Sequence, residues 1–187
     1  MTKVRNKISK NHYEEILCAG FGGQGIMFMG KLLAQAGLIA GRQVTWMPSY
    51  GAEVRGGTAY SMTKISKEEI ASPVVTAPDI LIVMNGPSFI KYEPRLKEDG
   101  ILISNKTLIG DLPKKKDKTS INIPMTEMAL KLGDIRCANM IAVGALMKSA
   151  KILSIKVILD ALKLMLKGKE DLFLKNKKAL EKGYKIP

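Results

Sequence analysis

The chain has 187 residues, and its 30 basic against 17 acidic residues give a net charge of +13. That length and an ordinary globular composition predict one domain, 1–187, able to bury a sizeable core. Two cysteines and one histidine are too few for a four-ligand zinc site or a four-cysteine cluster, so no metal site is expected here.

Residues 1–13 read as a flexible, basic tail and 14–187 as the folded part. His12 lies in that tail, which argues against Cys–His or Ser–His catalysis. No apolar stretch follows the basic start as in a secretory signal. No apolar run approaches the ~20 residues that cross a bilayer. A cytoplasmic protein without membrane contact is the expectation. The positive charge calls for an acidic protein, a phosphorylated ligand or nucleic acid. Nucleic acid is disfavoured, because the excess is almost all lysine, with five arginines and few aromatics.

Ile16 to Ala19 read as a short buried strand. The loop Gly20-Phe21-Gly22-Gly23-Gln24-Gly25 follows, with four glycines in six residues. Ile26 to Ile39 then predicts a helix of about four turns, apolar on most sides. Gly37 or Gly41 would close it. Glycines let a ligand approach the backbone, and the free N–H groups and positive end of the helix favour an anion. The spacing satisfies G-x-G-x-x-G, but a dinucleotide site also wants an acid at the end of the next strand. That strand, Gln43 to Met47, ends in Pro48-Ser49-Tyr50. An anion site is therefore favoured over a specific NAD site.

Ser49 to Thr58 form a second glycine-rich loop, and Thr58 to Ile65 alternate as a strand. With no helix between them, strands two and three are allowed to pair antiparallel. In the loop, Gly51, Gly56 and Gly57 free the backbone. Arg55 offers a planar fork for phosphate or carboxylate, and Glu53 could orient it. If the first two strands are neighbours, both loops open at one edge of the sheet, with Asn85 beside them.

Ile80 to Met84 and Gly100 to Ser104 are continuous apolar runs, typical of central strands buried on both faces. A short helix is expected around Ser88 to Leu96, a solvated lysine loop over Asp111 to Lys118, and a last strand at Ser120 to Ile123. The remainder is helical. It holds a short turn or helix at Thr126 to Leu132 and a small-residue helix Met140 to Ala150 capped by Asn139. Ser154 caps a helix Ile155 to Lys167 with one polar stripe, and a final helix runs from Glu170 to about Lys182. Both cysteines are assigned to the core. The pattern predicts a three-layer α/β/α domain with a mainly parallel, mixed sheet and a helical C-terminal part.

The wording of the two loops, Gly20-Phe-Gly-Gly-Gln-Gly25 and Pro48-Ser-Tyr-Gly-Ala-Glu-Val-Arg-Gly-Gly-Thr58, resembles the gamma subunit of 2-oxoacid:ferredoxin oxidoreductases. Within that family it is most like the 2-oxoglutarate or branched-chain type. Pro78 to Asn85 and Asn139 to Leu146 are similar to that family too. The resemblance implies a subunit of an enzyme that turns a 2-oxoacid, here 2-oxoglutarate, into an acyl-coenzyme A and CO2. Thiamine diphosphate, Mg2+ and iron–sulfur clusters would lie on partner alpha and beta subunits and a ferredoxin-like subunit. Ferredoxin or flavodoxin would take the electrons. It further implies that Gly22, Gly23, Gln24, Gly25, Tyr50, Gly51, Glu53, Arg55, Gly56, Gly57, Thr58 and Asn85 contact coenzyme A, with no catalytic residue assigned. A branched-chain, pyruvate or indolepyruvate enzyme is the alternative within the family. A freestanding dinucleotide-binding oxidoreductase or a basic nucleic-acid-binding domain stands outside it.

Overall fold

The computed structural model describes residues 13–49, 58–112 and 119–186. Six strands form one sheet: β1 (Tyr13–Phe21), β2 (Gln43–Ser49), β3 (Thr58–Ser66), β4 (Ile80–Val83), β5 (Ile101–Asn105) and β6 (Thr119–Ile123), in the order β2-β3-β1-β4-β5-β6. β1, β4, β5 and β6 run parallel. β3 runs against both of its neighbours, β1 and β2. The expected antiparallel pairing of strands two and three is present. The first two strands are not neighbours, however, because β3 lies between them. β3 fills that slot with both faces covered, Ile65 packing into one core and Met62 into the other.

The central strands bury both faces because their side chains alternate. Ile16, Cys18, Ile80, Ile82, Ile101 and Ile103 point into one core, and Leu17, Ala19, Leu81, Val83 and Leu102 into the other. Seven helices complete the fold: α1 (Ile26–Ile39), α2 (Gly86–Tyr92), α3 (Lys106–Ile109), α4 (Met125–Lys131), α5 (Ala138–Ala150), α6 (Ile155–Met165) and α7 (Glu170–Tyr184). The isoleucine side of the sheet carries α1 and α5, with α6 against α1 and α7 against α5. The other side is thinner, covered by Tyr92, Leu96 and Val75. The three-layer expectation holds, with unequal layers.

Local sequence sets the ends of these elements. Gly41, with φ of 69°, closes α1: its N–H reaches the Leu38 carbonyl and that of Arg42 the Gly37 carbonyl. Gly37 instead lies inside α1, where a Cβ would strike Val44. The helix expected over Ser88 to Leu96 ends at Tyr92 and continues as a 3-10 turn, Glu93–Arg95, because Pro94 has no N–H to give. Gly144 of α5 and Gly183 of α7 face each other's helix so closely that a Cβ on either would strike backbone, of Leu180 and Ile141 respectively. Both cysteines are buried, and burial pushes the Cys18 thiol up to about 12.

Candidate functional site

The carboxyl ends of the parallel strands meet at one edge. Phe21 at the end of β1 pairs with Thr58 at the start of β3, so the first glycine loop and the entry to β3 are adjacent. β2 ends at the same edge, two strands away. Asn85 follows β4 and lies there too. Sequence-predicted Gly22, Gly23, Gln24, Gly25, Thr58 and Asn85 are thus gathered at one place. Tyr50, Gly51, Glu53, Arg55, Gly56 and Gly57 lie outside the described residues, as do Lys114 to Lys118.

The four glycines of the first loop have different causes. A Cβ on Gly20 would come within 2.5 Å of Gln24 Oε1 and 2.7 Å of Ile26 Cδ1. Gly25 has φ of 72°, and a Cβ there would strike the Asn139 amide nitrogen. Gly23 has φ of 90°, where L side chains are strained. Gly22 has neither constraint: its φ is not left-handed, and among the described residues nothing stands within 4 Å of its Cβ position. Gly22 and Gly23 are both exposed. Packing and backbone strain account for three of these glycines, while among the described residues no neighbour accounts for Gly22.

Side-chain amides hold the loop. Gln24 Oε1 accepts from the Phe21 N–H (2.7 Å) and from Asn85 Nδ2 (3.2 Å), while its Nε2 donates to the Met84 carbonyl (3.3 Å). Asn85 Oδ1 caps α2 by accepting from the Ser88 N–H at 2.9 Å. Asn105 Nδ2 donates to the same Met84 carbonyl (3.4 Å) and to Thr126 Oγ1 (2.9 Å). Gln24 and Asn85, expected to face a ligand, therefore have their polar atoms committed to the scaffold. Helix α1, with Gly25 at its cap position, has no side-chain cap and no acidic residue in its first turn, so nothing within the helix offsets its positive end.

Asn139 differs from its expected role. The 3-10 turn Ile135–Cys137 leads straight into α5, whose cap position is Cys137, so Asn139 is already inside the helix. The Asp134 carboxylate starts that turn by accepting from the Arg136 guanidinium and backbone N–H, and these bonds hold its carboxyl down to about 2. The Asn139 side chain reaches across to the Gly25 carbonyl, with Nδ2 at 3.4 Å. Neither Asn105 nor Asn139 is picked out as a site residue by sequence. For Asn105 the signal was present: like Asn85, it stands at the carboxyl end of a buried strand, with only Ser104 between it and the apolar run Ile101 to Ile103.

The opposite edge of the sheet carries charge of another kind. Lys64 meets Glu15 at 2.9 Å, and Lys97 meets Glu15 at 3.0 Å and Asp79 at 2.9 Å. Asp79 also accepts from the Glu15 N–H at 3.0 Å. Burial alone would lower the pKa of Lys97. Its hydrogen bonds to Asp79 and Glu15, with the charge of both, outweigh that and raise it. This network lies at the amino ends of β1 and β4, away from the glycine loop. Among the described residues, no group of three His, Cys, Asp or Glu could hold a metal, and no helix is long and apolar enough to cross a membrane.

Fold and site define an α/β domain whose glycine-rich strand-to-helix turn lies at the carboxyl edge of a mostly parallel sheet. The family model described as pyruvate ferredoxin/flavodoxin oxidoreductase matches residues 15–186, and the chain belongs to that family. It is 36% identical over 195 aligned positions to the 2-oxoglutarate synthase subunit KorC of Methanocaldococcus jannaschii, covering 100% of this chain and 98% of that one. It is 38% identical over 166 residues to the ketoisovalerate oxidoreductase subunit VorA of Methanothermobacter marburgensis, covering 88% of this chain but 34% of the relative. The chain thus spans about a third of the length of VorA. Among solved structures, a keto/oxoacid ferredoxin oxidoreductase gamma subunit from Geobacter sulfurreducens superposes with a TM-score of 0.79 at 28% identity, covering 91% of this chain and 96% of that one. The 2-oxoglutarate:ferredoxin oxidoreductase of Magnetococcus marinus, solved with 2-oxoglutarate, coenzyme A and succinyl-CoA bound, gives 0.84 at 25% identity over 94% of this chain and 31% of that one.

Proposed function

We propose that this chain is the gamma subunit of a multi-subunit 2-oxoacid:ferredoxin or flavodoxin oxidoreductase and presents its glycine loop to coenzyme A. The carrying observation is Gly22, a glycine that neither backbone strain nor any neighbour among the described residues demands, exposed beside the uncapped start of α1. A side chain at that point would cover backbone N–H groups that a polyphosphate approaches closely. Coenzyme A supplies the thiol that accepts the acyl group. The residues of this chain bind and orient its anionic part: the N–H groups of 22–25, and Arg55 with Tyr50, Gly51, Glu53, Gly56, Gly57 and Thr58 of the second loop. Gln24 and Asn85 serve by fixing the loop.

The full-length match to KorC supports 2-oxoglutarate as the substrate, with succinyl-CoA and CO2 as products. Thiamine diphosphate, Mg2+ and the iron–sulfur clusters belong to alpha, beta and ferredoxin-like partner chains in a cytoplasmic complex. The net charge of +13 supports acidic partner surfaces. The test is replacement of Arg55 by Ala in the assembled complex. The KM for coenzyme A should rise about ten- to a hundredfold, the worth of one charge-assisted hydrogen bond. Lys should restore part of it, keeping the charge without the fork. An unchanged KM for coenzyme A, with a slowed decarboxylation in a single turnover, would move Arg55 to the 2-oxoacid side.

A further inference from the structure

We infer that Asn139 is a positioning residue that locks the glycine loop in its ligand-ready shape, an inference resting on the coenzyme A reading above. Asn139 lies in the first turn of α5, 114 positions from Gly25, and is 4% exposed. Its Nδ2 stands where a Cβ of residue 25 would be, 3.4 Å from the Gly25 carbonyl. Its Oδ1 is buried and has no hydrogen-bond partner among the described residues.

An amide with an unpaired buried oxygen is a costly choice for mere packing, since an apolar side chain would fill the space without that penalty. Nor does Asn139 cap its own helix. What the amide provides is a donor aimed at one carbonyl. The same carbonyl accepts the first hydrogen bond of α1, from the Met29 N–H at 2.9 Å. Gly25 therefore joins loop to helix, and a glycine adopts positive and negative φ with similar ease. Its φ of 72° has to be selected by something outside itself. Asn139 supplies that selection from across the fold, while Gln24 pins the loop to Phe21, Met84 and Asn85 on the other side.

A loop held this way meets its ligand already ordered, and the ligand does not have to supply the ordering free energy. Loss of the Asn139 amide should then weaken coenzyme A binding without slowing decarboxylation. The test uses N139A and N139L, the second keeping much of the side-chain volume without an N–H. In the isolated chain, amide hydrogen exchange over residues 22–26 should be faster in both variants, with β4 and β5 unchanged. In the assembled complex, the KM for coenzyme A should rise roughly fivefold in both, with kcat within about twofold of the wild type, the scale of one neutral hydrogen bond. Unaltered exchange over 22–26 in N139A overturns the inference, as does full rescue by Leu, which would reduce Asn139 to a space-filler. Faster exchange in both variants with an unchanged KM keeps Asn139 as the loop's anchor and overturns the coenzyme A reading instead. N139S, smaller and still polar, provides the same exchange readout should the other two fail to fold.

Discussion

Asn85 Nδ2 donates to Gln24 Oε1 across 3.2 Å, joining the loop after β1 to the cap of the helix after β4. The two residues are 61 positions apart and meet because β1 and β4 are parallel neighbours whose ends coincide, Ala19 opposite Val83. Gln24 also closes its own loop on the Phe21 N–H. One side chain thus ties loop, strand end and helix cap together.

Replacing Gln24 by Ala removes three hydrogen bonds and leaves the Phe21 N–H and Asn85 Nδ2 without that acceptor. Each neutral bond is worth about 1 kcal/mol net, so stability should fall by about 1–3 kcal/mol. Gln24→Glu keeps the acceptor but sets a carboxylate oxygen near the Met84 carbonyl and the proposed phosphate site. It should raise the KM for coenzyme A more than Ala does, while costing less stability. Urea melts of the isolated chain and coenzyme A titration of the complex separate the two effects.

The Glu15–Lys64–Asp79–Lys97 network calls for the opposite pattern. Asp79 is 3% exposed and accepts from both Lys97 and the Glu15 N–H. Asp79→Ala would leave Lys97 with Glu15 alone and the Glu15 N–H without its acceptor, costing about 1.5–3 kcal/mol, the worth of a hydrogen bond to a charged group. Its distance from the glycine loop predicts an unchanged KM for coenzyme A. The pH dependence follows from Lys97, whose folded pKa is raised above 10.5. Its contribution is fully present below 10.5 and is lost as pH rises through the folded value. Lys97→Met should be less stable at neutral pH and should show a weaker alkaline decline above that point. Identical alkaline limbs in thermal melts of the two proteins would show that the network does not couple to folding.

Much of the fold was legible because its strongest signals are local. Ile80 to Val83 and Ile101 to Asn105 are buried on both faces, and such runs announce themselves. The polar stripe of α6, with Lys156, Asp160 and Lys163 all exposed, is likewise written in its period. Strand order was not legible, since the placing of β3 between β1 and β2 is decided by pairings across the chain. Asn139 misled for a related reason. An asparagine before an apolar run looks like a cap, but Asp134 had already begun the turn that becomes α5. The first loop stands out in the sequence as four glycines in six residues, whereas the constraints on Gly20 and Gly25 needed neighbours from residues 84 and 139.

The close contact of α5 and α7 gives a control unconnected with the ligand. A methyl at residue 144 would strike the Leu180 carbonyl, and one at residue 183 the Ile141 carbonyl. Backbone atoms cannot step aside as a flexible side chain does, so the helices must separate. Gly144→Ala should cost about 1–3 kcal/mol, as overpacking does. The double variant with Gly183→Ala should cost less than the sum, because the first methyl already parts the helices. Additive losses in denaturant melts would mean that the two contacts yield independently.

The sharpest prediction sets Gly22 against Gly25. Alanine at residue 25 must take a left-handed φ of 72° and displace the Asn139 amide. The first cost is about 1–2 kcal/mol, and the lost loop anchor adds to it. Gly25→Ala should therefore lower both stability and affinity for coenzyme A. Alanine at residue 22 meets nothing within 4 Å among the described residues and needs no left-handed backbone. Its effect on stability should stay within about 0.5 kcal/mol, as at an ordinary surface position. If a polyphosphate lies against that backbone, however, the added methyl stands between them. A loss of about 1.4 kcal/mol or more, at least tenfold in the KM for coenzyme A, should follow. Serine at residue 22 should be no better, because the obstacle is the Cβ itself. Melting curves and coenzyme A titrations of the same preparations decide the matter. A Gly22→Ala complex with wild-type KM would leave that glycine without a ligand to explain it and would move coenzyme A away from the first loop.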